Sequence, residues 1–150
     1  MEIREAKQLD LESLSLLFHA YRHLSVSLPI ASTIQDSKDW LIERFNSKEA
    51  IFLIAIDDGN LLGFATLYQG FSSISLRKYW ALNDLYVRDK ARGKGIGSKL
   101  LDAVDRYAIT TNAKGVELEV SIGNKSAQHL YEQFGYEENT QYKRYFKTNK

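Results

Sequence analysis

The chain contains no cysteine. That absence excludes disulfides, thiolate metal sites and a covalent cysteine nucleophile together. Neither sign of charge dominates: 20 Lys and Arg against 19 Asp and Glu leave a formal +1. So weak a field does not draw a protein onto polyanions in bulk, and neither nucleic acid nor membrane is expected as a partner. No uncharged run approaches the roughly 20 residues that span a bilayer, and residues 1–5 lack the basic start and apolar stretch of a secretory signal. A cytoplasmic chain is the expectation. Proline occurs once, at Pro29, and no repeat, linker or low-complexity tract interrupts the 150 residues. A single domain over 1–150 follows, and 44% hydrophobic residues are enough to give it a core.

Hydrophobic spacing gives the order of elements. Residues 2–6 read as a short strand, after which Asp10 is placed to cap a helix whose apolar stripe is Leu14, Leu17, Phe18, Tyr21 and Leu24. Beyond a break at Pro29, Thr33 and Asp36 form a capping signal for a second helix with Trp40, Leu41 and Phe45 on one face. Two apolar runs, 51–56 and 61–68, flank Asp57-Asp58-Gly59-Asn60, a strong hairpin signal because these residues tolerate positive φ. A third run, 80–87, feeds the glycine-rich turn Arg92-Gly93-Lys94-Gly95-Ile96-Gly97-Ser98. Ile96, Leu100, Val104 and Tyr107 then recur at helical spacing, so the turn sits at a helix N-terminus. Val116, Leu118 and Val120 alternate with Glu117 and Glu119 as a further strand. A short helix is expected over 126–134 and a last strand over 142–146. The fold class is α/β with a mixed sheet: antiparallel strands first, then one β-α-β crossover.

A helix N-terminus presents unpaired amides and the positive end of the helix dipole, and glycines let the backbone approach an anion closely. Arg92 and Lys94 add mobile positive charge. Two common phosphate motifs fail here. The dinucleotide pattern G-x-G-x-x-G needs glycine where Leu100 stands, and the nucleotide P-loop needs glycine where Arg92 stands.

Leu85-Tyr86-Val87 followed by Arg92-x-x-Gly95-x-Gly97 resembles the central motif of the GCN5-related N-acetyltransferase (GNAT) superfamily. Leu118-Glu119-Val120, then Asn124, Ala127, Leu130-Tyr131 and Phe134-Gly135-Tyr136, resemble the family's second cofactor-side motif. The resemblance is strong from Trp80 to Tyr136 and holds by pattern before that. It implies a mostly antiparallel sheet with helices on both faces, its parallel strands splayed where the cofactor enters. It also implies acetyl-CoA as co-substrate, Leu85, Tyr86 and Val87 along the pantetheine arm, and the amides of Arg92, Gly93, Lys94, Gly95, Ile96, Gly97 and Ser98 on the pyrophosphate. Asn124 and Ala127 are implied as further cofactor contacts.

Without cysteine, the simplest chemistry is direct attack of an amine on the thioester in a ternary complex. That needs a proton acceptor for the amine and a donor for the departing thiolate. Tyr131 stands where many family members carry the tyrosine donor. Glu119 is the leading base, because ribosomal-protein N-terminal acetyltransferases have a glutamate in the same context; Asp84 is second. Polyamine acetyltransferases resemble the region before Leu85, but Asn83 replaces the first of their two acids. The acceptor is expected to be a small cationic amine or a protein amino group, and a homodimer is possible on the family pattern. An acyl-CoA-binding regulatory module is the alternative function. His19 and His23 have i,i+4 spacing, but no third ligand is evident, and no metal is expected.

Overall fold

The computed structural model describes residues 1–24 and 32–149. They divide into two compact units, Met1–Glu119 and Val120–Lys150. Pro29, the expected helix break, lies outside the described residues. No described helix is long and apolar enough to cross a membrane.

The first unit is a five-stranded sheet in the order β1-β2-β3-β4-β5. Its strands are β1 (Glu2–Glu5), β2 (Ala50–Asp57), β3 (Asn60–Ser72), β4 (Arg77–Val87) and β5 (Val116–Leu118). The first four pair antiparallel and β5 joins β4 in parallel. The β2–β3 hairpin closes through Asp58 and Gly59 at φ 49° and 78°, the left-handed pair that a two-residue hairpin turn requires.

Helices α1 (Leu11–Arg22) and α2 (Ile34–Asn46) cover one face of this sheet and α3 (Ile96–Thr110) the other. Leu14, Leu17 and Phe18 of α1 and Leu41 of α2 pack on Phe52, Ile54 and Phe64. Ile96 and Leu100 of α3 pack on Ala55, Leu85 and Val87. Alternation along β2 and β3 sends successive side chains to these opposite layers, so both faces of the central strands are buried.

Thr33 and Asp36 make the expected reciprocal capping box at α2. Asp10 behaves differently from expectation: it makes no side-chain cap on α1. Its carboxylate instead takes the Lys7 amide at 2.7 Å and the Arg4 fork at 2.7 and 3.0 Å. A buried carboxylate gains more from a charged bidentate partner than from a helix amide, and the fork ties β1 to the turn that starts α1.

The second unit contains α4 (Lys125–Gln133). The strand expected over 142–146 is absent: these residues lie in no strand or helix, with Tyr142, Tyr145 and Phe146 at 77%, 85% and 83% exposure. An apolar alternation specifies a strand only when a neighbouring edge takes its hydrogen bonds, and none does so here among the described residues.

Candidate active site

The sheet register changes within β4. Thr66 lies opposite Asp84, but Leu67 lies opposite Leu82, so Asn83 is an extra, unpaired residue in a β-bulge. On its other side β4 is bonded to β5 only through Trp80, Ala81 and Leu82. Past the bulge, residues 83–87 have β3 on one edge and no strand on the other among the described residues. A strand edge of this kind offers backbone donors and acceptors to an extended ligand.

The same strand ends at the glycine turn. Gly93 and Gly95 have φ of 78° and 76°, and Gly95 is the N-cap of α3 with no side chain capping it. The amides of residues 93–98 find no acceptor among the described residues, whereas Lys99 already bonds the Gly95 carbonyl. The open amides therefore converge at one helix terminus. Arg92 is held by its Nε donating to the Val87 carbonyl at 2.9 Å and by Asp89 at 2.8 Å. Lys94 and Lys99 join Arg88 and Lys90 around a cleft of about 310 Å³ beside the turn, which makes its surroundings electropositive.

On the α1/α2 face, Asp84 is buried, with 8% of its surface exposed. The Asn83 side-chain amide donates to its Oδ1 at 3.3 Å. Its Oδ2 and the neighbouring Thr66 Oγ1 are buried without a well-formed hydrogen bond. Desolvation pushes the Asp84 carboxyl above its ordinary value; Thr66, Tyr21 and Asn83 pull it down only in part. Tyr68 lies on the same face of β3 as Thr66, its hydroxyl pushed up by burial and then by the Asp84 charge.

Glu119 lies one residue past β5 and is exposed. In the second unit Asn124 is the N-cap of α4, its Oδ1 accepting from the Ala127 amide at 3.2 Å, which leaves the Asn124 amide group as a donor. Tyr131 packs edge-on against Tyr136 with ring centres 5.8 Å apart. Burial raises its phenol, so it stays protonated through the neutral range. His19 bonds Ser37 at 2.7 Å and His23 meets the His19 carbonyl at 2.9 Å, so both imidazoles tie up α1 and its contact with α2.

Within the first unit, β4 thus joins three of the expected features: the pantetheine segment, the phosphate turn and Asp84. Tyr21, Thr66 and Tyr68 had no separate signal in the sequence. Thr66 is one polar residue in an apolar run, and only the register shows it facing Asp84.

A family model described as Acetyltransferase (GNAT) family matches residues 17–136. The chain is 40% identical over 145 residues to an uncharacterized N-acetyltransferase, YhfO, of Bacillus subtilis (strain 168), covering 97% of this chain and 95% of that protein. It is 32% identical over 81 residues to the thialysine N-epsilon-acetyltransferase of Bos taurus, covering 54% of this chain and 47% of that one. Among solved structures, a probable acetyltransferase superposes with a TM-score of 0.91 at 34% identity, covering 100% of this chain and 99% of the other.

Proposed function

Since the chain belongs to the GNAT acetyltransferase family, we propose that it moves the acetyl group of acetyl-CoA directly onto a primary amine while both substrates are bound. One observation carries this reading: the free outer edge of β4 past the Asn83 bulge runs directly into the open amides of residues 93–98. An extended polar arm and a pyrophosphate, linked end to end, match that sequence of groups.

Acetyl-CoA supplies the activated acyl group as a thioester. The chain's residues do the rest. Backbone groups of Leu85, Tyr86 and Val87 pair with the arm. The amides of Gly93, Lys94, Gly95, Ile96, Gly97 and Ser98 hold the phosphates, helped by the Asn124 side chain and by Ala127 beside it; the Arg92 amide, expected among them, is instead donated to the Asp89 carbonyl at 3.2 Å. A neutral amine forms the new N–C bond as the C–S bond breaks, with its electron pair left on sulfur. A carboxylate, Glu119 or Asp84, takes the amine proton, and the Tyr131 phenol gives its proton to the thiolate. The products are the N-acetylated amine and the free thiol of CoA. Burial raises the affinity of Asp84 for a proton, and its position beside the β4 edge supports a role as acceptor.

Free-thiol release from acetyl-CoA should rise when a suitable amine is added. Tyr131→Phe should slow release by at least about 10²-fold, the usual scale for general acid catalysis, with CoA affinity retained. Unchanged turnover would remove Tyr131 from the mechanism. A Glu119→Gln variant with the wild-type pH–rate profile would leave the base role to Asp84 or to water.

A further inference from the structure

We infer that the acceptor is a primary amine carrying a second positive charge, with Asp84 receiving the reacting amine and Glu117 holding the distal cation. The inference rests on the acetyltransferase reading above and assigns the acceptor class of that same site.

The placement of Glu117 follows from register. Tyr68 lies on the α1/α2 face, where it packs against the core beneath those helices. Ala81 is its partner across β3 and β4, and directly opposed residues share a face. Glu117 is the parallel partner of Ala81 on β5 and therefore points to the same side. Asp84 reaches that side too, because the Asn83 bulge resets the alternation of β4 and sets Asp84 opposite Thr66. Two carboxylates from adjacent strands, Asp84 and Glu117, thus border the point where β4 loses its β5 partner.

Their states differ. Glu117 is exposed and its side chain has no hydrogen bond or ion pair among the described residues. Asp84 is buried, with Oδ2 lacking a well-formed bond beside the equally buried Thr66 hydroxyl. An ammonium brings three donors and no acceptor, so an amine seated over the part of Asp84 that stays exposed meets a carboxylate that burial leaves short of donors. The Tyr21, Tyr68 and Tyr86 rings on this face add surfaces that favour cations and aliphatic spacers. A neutral or acidic acceptor leaves the buried carboxylate uncompensated and meets Glu117 with no opposing charge.

The experiment compares 1,4-diaminobutane and L-lysine with n-butylamine and glycine as acceptors at fixed acetyl-CoA, reading kcat and KM for thiol release. The dicationic and basic acceptors should exceed n-butylamine by at least about tenfold in kcat/KM. Glu117→Gln should reduce that ratio several-fold through KM rather than kcat, and Glu117→Asp should restore part of it. Titration calorimetry of 1,4-diaminobutane and n-butylamine into the protein saturated with CoA gives a readout independent of turnover. Equal handling of diamine and monoamine, in turnover or in binding, overturns the inference while leaving amine acetylation intact. So does a Glu117→Gln variant with undiminished preference. Failure of every amine to stimulate thiol release overturns both readings.

Discussion

Replacing Asp84 by asparagine should weaken the enzyme and strengthen the fold at once. The wild-type carboxyl is 8% exposed, and burial raises its pKa above the ordinary 3.8. The folded state therefore holds the proton more tightly than the unfolded chain does. Stability contributed by this group is complete below the unfolded pKa and is lost as pH rises through the folded one. Once the pH exceeds the folded pKa, the native state carries an ionised, incompletely bonded buried oxygen, an arrangement that costs about 1–3 kcal/mol. Asparagine keeps the acceptor that Asn83 uses and offers an N–H toward Thr66. A gain of about 1 kcal/mol corresponds to roughly 2–4 °C in Tm for a chain of this size. Thermal denaturation of both proteins across pH 4–8 should give curves that converge at the acid end and separate as pH rises. In the same variant the rate of thiol release should fall by about 10²–10⁴-fold if Asp84 is the base, with the acidic limb of the pH–rate profile altered. An asparagine variant less stable than wild type at pH 7, or a difference independent of pH, would refute the account of Asp84 as a desolvated charge.

Three further outcomes test the frame around it. Gly63→Ala puts a Cβ 2.6 Å from the Tyr86 carbonyl oxygen and 3.3 Å from the Val87 Cα, so backbone must move; about 1–3 kcal/mol should be lost in urea denaturation, with weaker CoA binding because β4 shifts. Gly95→Ala meets open space but must hold φ near 76°, costing about 1–2 kcal/mol, and isothermal titration should show reduced CoA affinity as the amides reorient. Asp10→Ala removes the Arg4 fork and the Lys7 cap; about 2–3 kcal/mol should be lost at pH 7. The Arg4 hydrogen bond lowers the Asp10 pKa against the cost of burial, so its stabilisation is present above the unfolded value and lost as pH falls through the folded one. Denaturation near pH 3 should therefore show a smaller penalty.

Much of the fold was legible because its signals are local. The hairpin at Asp58 and Gly59 needed residues that accept positive φ, and the capping box of Thr33 and Asp36 needed only its three-residue spacing. The stripe of Ile96, Leu100 and Val104 needed only helical periodicity. Two local readings failed where a charged side chain outside the pattern decided. Asp10 had the right residue type for a cap, but Arg4, brought beside it by the β1 entry, binds its carboxylate instead. Trp40 fitted an apolar face, yet is 47% exposed with the Arg44 guanidinium 4.2 Å above its ring.

The candidate site divides along the same line. The sequence by itself determined the donor side, since glycines at fixed spacing after a strand and before a helix dictate a turn of open amides whatever surrounds them. Tertiary structure alone decided the acceptor side. Which carboxylates face one another depends on sheet register, and a single extra residue at Asn83 reverses the facing of everything beyond it. Pairing between strands far apart in the chain sets that register, and no spacing within β4 or β5 records it.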